Sequence, residues 1–137
     1  MDSNYLEVRN KMLLVSNELR KVLDRSANTS FEENLVYCKV ENLLEKISSI
    51  ADDINHFALP TKTGTLRKMD NGRFELVSAT GKQITYFSCG SLIECQVKYD
   101  DEMQWFAGRV EYRDGGYYFY GVNKPFLYNG MPARIRE

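Results

Sequence analysis

Residues 1–59 contain neither Gly nor Pro, whereas residues 60–137 hold all nine Gly and all three Pro of this 137-residue chain. Gly and Pro are the residues that interrupt helices and shape tight turns. The first stretch is therefore free to run as long helices, and the second must be assembled from short, repeatedly reversed segments. The change predicts two regions, 1–59 and 60–137, in a length that suits one ordinary domain or two small ones. With 43% hydrophobic and 27% charged residues, and 18 basic residues against 19 acidic ones, the balance is that of a globular protein. It argues against a disordered chain or a basic nucleic-acid arm.

In the first region Tyr5, Val8, Met12, Val15, Leu19 and Val22 recur in alternating steps of three and four, the spacing of one helical stripe. Leu6, Leu13 and Leu23 widen it, and Asp2 or Ser3 suits the first-turn cap. The helix is expected to stop within residues 25–29, where Ser, Asn and Thr offer the backbone local alternatives. Ser30-Phe31-Glu32-Glu33 then reads as a capping box, with Ser30 taking the Glu33 amide and Glu33 returning to the Ser30 amide. Val36, Val40, Leu43, Ile47, Ile50 and Ile54 repeat the stripe. So short a break predicts an antiparallel hairpin in which each helix buries its stripe against the other. Leu14, Leu35, Leu44 and Phe31 fall off or beside the stripes, leaving apolar surface for the second region, for a partner, or for a second hairpin in a homodimer.

Past Pro60 the period becomes two. Strands are expected over 63–69, 73–77, 83–87, 92–99, 103–112, 116–121 and 133–136, with 61–64 as a short polar linker ahead of them. Asp70-Asn71-Gly72 and Arg113-Asp114-Gly115 are hairpin turns, the Asn-Gly and Asp-Gly pairs supplying positive backbone angles. Five to seven short strands with tight turns predict a small closed or half-closed antiparallel barrel, nearest in size to the SH3-like type, with an OB-like barrel as the alternative. The fold class is α+β.

The second region also resembles a known family. The carriers are Gly64-Thr65-Leu66, Gly72-Arg73-Phe74-Glu75-Leu76, Ser88-Cys89-Gly90-Ser91-Leu92-Ile93-Glu94, Trp105, Arg109-Val110-Glu111, Tyr117-Tyr118 and Gly130-Met131-Pro132-Ala133-Arg134-Ile135. Together they resemble an uncharacterised domain of unknown function found in short proteins of Gram-positive bacteria, their phages and mobile elements. The resemblance covers about residues 63–136 and leaves the helical region outside. Its motifs are turns and strand residues, so it carries over no catalytic group. It implies a mobile-element origin, and with that a stoichiometric regulator or an inhibitor of a host defence nuclease of the CRISPR type. The warrant for that implication is analogy.

Chemistry is sparse. His56 is the sole histidine, so any Ser or Cys nucleophile would depend on it as base, and its place at the end of the second helix suits a capping role better. Three cysteines, Cys38, Cys89 and Cys95, have no Cys-x-x-Cys spacing and too few companions for zinc. An odd number of cysteines with no signal-peptide pattern predicts reduced thiols and a cytoplasmic location. Cys89 is expected in a turn and Cys95 in the core. Asp100-Asp101-Glu102 lacks cation-loop spacing and reads as a solvated hairpin tip. No phosphate-cradling glycine motif occurs. No catalytic residue, metal or cofactor is predicted, and the expectation is a non-enzymatic protein.

Aromatic residues carry more information. Nine of the 17 Trp, Tyr and Phe residues lie between Trp105 and Tyr128, more than a small barrel can bury. By alternation, Phe106, Val110 and Tyr112 share a face with Gly108, opposite Trp105, Ala107, Arg109 and Glu111, while Tyr118 and Tyr120 oppose Tyr117 and Phe119. One set must be exposed or covered by the helical hairpin; if exposed, Trp105, Arg109, Tyr118 and Tyr120 are the expected partner-binding residues, of the types that anchor protein interfaces. The alternative is a nucleic-acid-binding barrel using these rings with Arg67, Arg73 and Arg113, out of a wider set including Lys68, Arg134 and Arg136. Against it, residues 60–137 carry 11 basic and 9 acidic residues, a net charge of only +2.

Overall fold

A computed structural model describes all 137 residues, which divide into two compact units, Met1–Leu59 and Pro60–Glu137. The first contains helices α1 (Ser3–Asp24) and α2 (Phe31–Phe57). Asp2 caps α1 by accepting the Asn4 amide at 2.9 Å. At α2, Ser30 Oγ accepts the Glu33 amide at 3.1 Å, as expected, but the Glu33 carboxylate takes the amide of Thr29 and not that of Ser30. The helices run antiparallel: Arg9 near the start of α1 donates to Asn55 near the end of α2.

The helical seam differs from the expected one. Tyr5, Val8, Val15, Leu19 and Val22 are exposed, and the buried side chains are Leu23, Leu44 and Ala51. On α2, Val36, Leu43 and Ile50 are exposed as well, while Met12, Val40, Ile47 and Ile54 are half-buried, so the two stripes cover each other only in part. Every second stripe position yields to the residue after it: Arg9, Ser16 and Leu23 on α1 and Tyr37, Leu44 and Ala51 on α2 are more buried than the Val, Leu or Ile before them.

The second unit is a seven-stranded antiparallel sheet curled into a half-barrel. Its strands are β1 (Thr61–Lys68), β2 (Phe74–Val77), β3 (Gln83–Tyr86), β4 (Leu92–Tyr99), β5 (Glu102–Arg113), β6 (Gly116–Tyr120) and β7 (Pro132–Arg136), in the order β3-β2-β1-β7-β4-β5-β6. The α+β class and the hairpin-then-barrel order agree with the sequence reading. The supposed linker 61–64 is instead the start of β1: Thr61 to Gly64 pair with Arg136 to Ala133. Polar composition there reflects a strand held by backbone bonds, which composition alone does not reveal.

The turns divide by chemistry. Asp114 and Gly115 both have positive φ, as a two-residue hairpin turn requires, and Asp100 and Asp101 form the same kind of tip between Tyr99 and Glu102. At 70–72 only Gly72 is positive, at +85°, and the Gly72 amide donates to the Met69 carbonyl. This is a three-residue loop, and Asn71 instead uses its side chain to accept the Arg73 amide.

Inside the curl, twelve buried residues form one cluster, among them Leu66, Leu76, Ile93, Cys95, Val110 and Phe119. Phe119 lies against Gly108, where an added Cβ would come within 2.6 Å of its ring and 2.5 Å of the Tyr120 carbonyl oxygen. Gly108 is the gap in β5 that admits the ring.

Candidate partner-binding face

Strand alternation turns Ile93, Cys95 and Val97 of β4, Val110 of β5, Phe119 of β6 and Ala133 of β7 toward the core. Their neighbours point to the outer face. Cross-strand pairing then sets those neighbours side by side: Glu94 with Arg134, Gln96 with Trp105, Arg109 with Tyr120, and Glu111 with Tyr118.

All four expected partner-binding residues therefore share this face. The Arg109 guanidinium lies 4.5 Å from the Tyr120 ring centre and donates to Glu111 at 2.9 Å. Tyr118 and Tyr120 meet edge to face at 6.3 Å. Trp105, four positions before Arg109 on β5, is half-buried and is covered by Arg134, 4.3 Å from its ring centre. Arg113 extends the row: it lies 4.2 Å from Tyr118 and 4.9 Å from Phe126, and donates to the Lys124 carbonyl at 2.6 Å. Lys124 Nζ approaches the Tyr120 ring at 4.8 Å. Guanidinium against ring is an attraction of about 0.5–1 kcal/mol at an exposed site. Its larger effect here is to hold long side chains in one arrangement.

Behind Arg134 sits the best-satisfied charge cluster of the unit. Glu94 is 5% exposed, and its carboxylate accepts Arg134 Nε at 2.9 Å and Arg136 Nε at 2.5 Å. Burial works against this carboxylate, but the hydrogen bonds and charges of Arg136 and Arg134 outweigh it and hold Glu94 below the ordinary carboxylate range. Sequence reasoning left Glu94 out and placed Arg134 and Arg136 only in the wider basic set. The alternation of Arg134 and Arg136 with Ala133 and Ile135 was the available signal.

The other basic residues are not gathered. Arg67 is taken by Glu75, whose carboxylate also accepts Gln83 Nε2 at 2.6 Å. The Arg67 hydrogen bond is the main reason the Glu75 carboxyl sits below its ordinary value. Arg73 is exposed just past the 70–72 turn, and no hydrogen bond, ion pair or ring contact joins it to Arg67 or Arg113.

A cleft of about 780 Å³ opens between the 70–72 and 113–116 turns, lined by Phe74, Cys89, Tyr112, Phe126 and Leu127 among others. Cys89 is exposed in a turn and Cys95 is buried in the core, as the sequence indicated. Burial, with the Glu94 charge beside it, pushes the Cys95 thiol up to about 12, so it stays protonated and unreactive. His56 makes an edge contact with the Phe57 ring. No three His, Cys, Asp or Glu side chains converge as metal ligands, the acidic 100–102 tip included. No helix is long and apolar enough to cross a membrane.

No curated protein and no solved structure matches the chain. A family model described as a domain of unknown function, DUF5348, matches residues 64–135, from the middle of β1 almost to the end of β7. That span is more than half of the chain and contains every residue of the aromatic face, so this protein belongs to the DUF5348 family.

Proposed function

We propose that this protein is a non-enzymatic binding module that takes another protein on the outer face of its half-barrel. Trp105, Tyr118 and Tyr120 are the anchors, and Arg109 is their charged neighbour. The observation that carries this reading is the row of guanidinium-on-ring stacks, Arg134 on Trp105, Arg109 on Tyr120 and Arg113 on Tyr118. Trp, Tyr and Arg are the residue types that dominate interface energetics. Stacking arranges them before a partner arrives, which lowers the ordering cost of association.

Charge bookkeeping favours a protein partner over nucleic acid. Of the seven basic residues in the wider set, Arg67, Arg109, Arg134 and Arg136 are ion-paired with Glu75, Glu94 or Glu111, which leaves Lys68, Arg73 and Arg113. A face meant for several phosphates would keep those cations free. The non-enzymatic reading draws on the protonated, buried state of Cys95 and on the placement of His56 in the helical unit. A mobile-element origin and a host defence nuclease of the CRISPR type as first partner to try are parts of this proposal that rest on the family resemblance alone.

The test is a binding titration against a partner captured from nuclease-treated lysate, with Trp105→Ala in parallel and circular dichroism to verify its fold. Loss of about thirtyfold or more in affinity is expected for a central aromatic anchor. An unchanged affinity in a folded Trp105→Ala variant rejects the assignment. If instead single-stranded oligonucleotide binds, with affinity falling steeply as salt rises, the face belongs to nucleic acid.

A further inference from the structure

The helical unit carries an apolar surface that its own two helices leave uncovered. In α1, Val8, Val15 and Val22 repeat every seven residues and are 46–49% exposed, while the next residues, Arg9, Ser16 and Leu23, are more buried and turned toward α2. In α2, Val36, Leu43 and Ile50 repeat every seven and are 47–59% exposed, while the next residues, Tyr37, Leu44 and Ala51, line the seam. One residue is a rotation of about 100° around a helix. Both exposed stripes are therefore turned a quarter turn from the seam in the same sense about their own axes. Because the helices are antiparallel, that rotation brings both stripes to the same side of the two-helix layer. A cleft of about 480 Å³, lined by Leu19, Val22 and Leu23 from one helix and Val36 and Val40 from the other, marks where they meet.

We infer that a second copy of this chain covers this face, so that two hairpins form a four-helix bundle. Three features select a second copy. Heptad spacing on both helices is the pattern by which helices pack in bundles. The face is about 33 Å long, from the 22 residues of α1, and two helices wide. Its footprint is on the order of 650 Å² per copy, or about 1,300 Å² in total, inside the range of stable interfaces. The outer borders carry both signs, with the Glu7–Lys11 ion pair and Glu18 on α1 and Lys46 and Asp53 on α2, so a two-fold pairing meets no block of like charge.

Sedimentation equilibrium of the full chain tests this. The wild type should sediment at twice the 15.9 kDa of one chain at micromolar concentration, and its thermal midpoint should rise with protein concentration. Val15→Glu and Val36→Glu should each raise the dimer dissociation constant about thirtyfold or more. Leu14→Glu, at an exposed position a further 100° round α1 from Val15 and turned away from α2, should raise it several-fold less than Val15→Glu does. A wild type that is monomeric at all concentrations, with a concentration-independent midpoint, overturns the inference. So does a dimer that Val15→Glu and Val36→Glu leave intact. The concentration dependence of the wild type decides the matter even where a variant does not fold.

Discussion

The two units spend their apolar residues in opposite ways. The half-barrel gathers twelve buried residues into one cluster, with Leu76, Cys95, Phe119 and Ala133 wholly enclosed. The hairpin buries three and leaves a row of Val, Leu and Ile in the open. A curled sheet has an inside, so alternation alone supplies a core. Two helices have only a line of contact, and whatever lies off that line must find another molecule or stay wet. The half-barrel encloses its own core, whereas the hairpin leaves much of its apolar surface outside its seam.

The sharpest way to break that comparison is Phe119→Ala. It empties the space over Gly108 and should cost about 3–5 kcal/mol in denaturant unfolding of the half-barrel. A loss below about 1 kcal/mol would show that the core is not the unit's main support.

Glu94→Gln comes next, at about 2–4 kcal/mol, because it leaves Arg134 and Arg136 facing each other without their shared counter-charge. The same carboxylate gives the unit a pH dependence of fixed sign. Its folded-state value lies below the unfolded value of about 4.3, so the unfolded chain binds the proton more readily. Its stabilisation is complete above that unfolded value and is lost as pH falls through the lower folded one. Glu75 acts in the same direction. Acid titration should therefore weaken the half-barrel below about pH 4, and Glu94→Gln should flatten the slope. An identical slope in the variant would remove Glu94 from the account.

In the helical unit the expected effects are smaller. Ser30→Ala removes the acceptor of the Glu33 amide and should cost about 1 kcal/mol of helix stability, read as a drop in thermal midpoint by circular dichroism. Leu14→Ala, at a position 59% exposed and away from both seam and stripe, should change stability by less than about 0.5 kcal/mol. A larger loss would mean that a partner also covers that side.

The elements were legible because each rests on neighbours in sequence. Ser30 and Glu33 announce a helix start, and Asp114-Gly115 a turn, wherever they occur. Even the face with Trp105, Arg109, Tyr118 and Tyr120 follows from counting by twos on two strands joined by a two-residue turn. Less legible was 61–64, whose strand character depends on residues 133–136 arriving beside it. The direction of the helical seam was equally hidden, since a heptad stripe says which residues are apolar and not which neighbour they meet.

Periodicity and turn chemistry are short-range properties, and from them the sequence by itself determined two helices, seven strands, their hairpins and which side chains share a strand face. The insertion of β7 between β1 and β4 was decided only by the tertiary structure, as were the Arg134–Glu94–Arg136 cluster and the cover of Arg134 on Trp105. Those contacts join residues some 30 to 75 positions apart along the chain. Such contacts come into being only when closing the sheet makes distant strands adjacent, and no local pattern encodes which strand will be there.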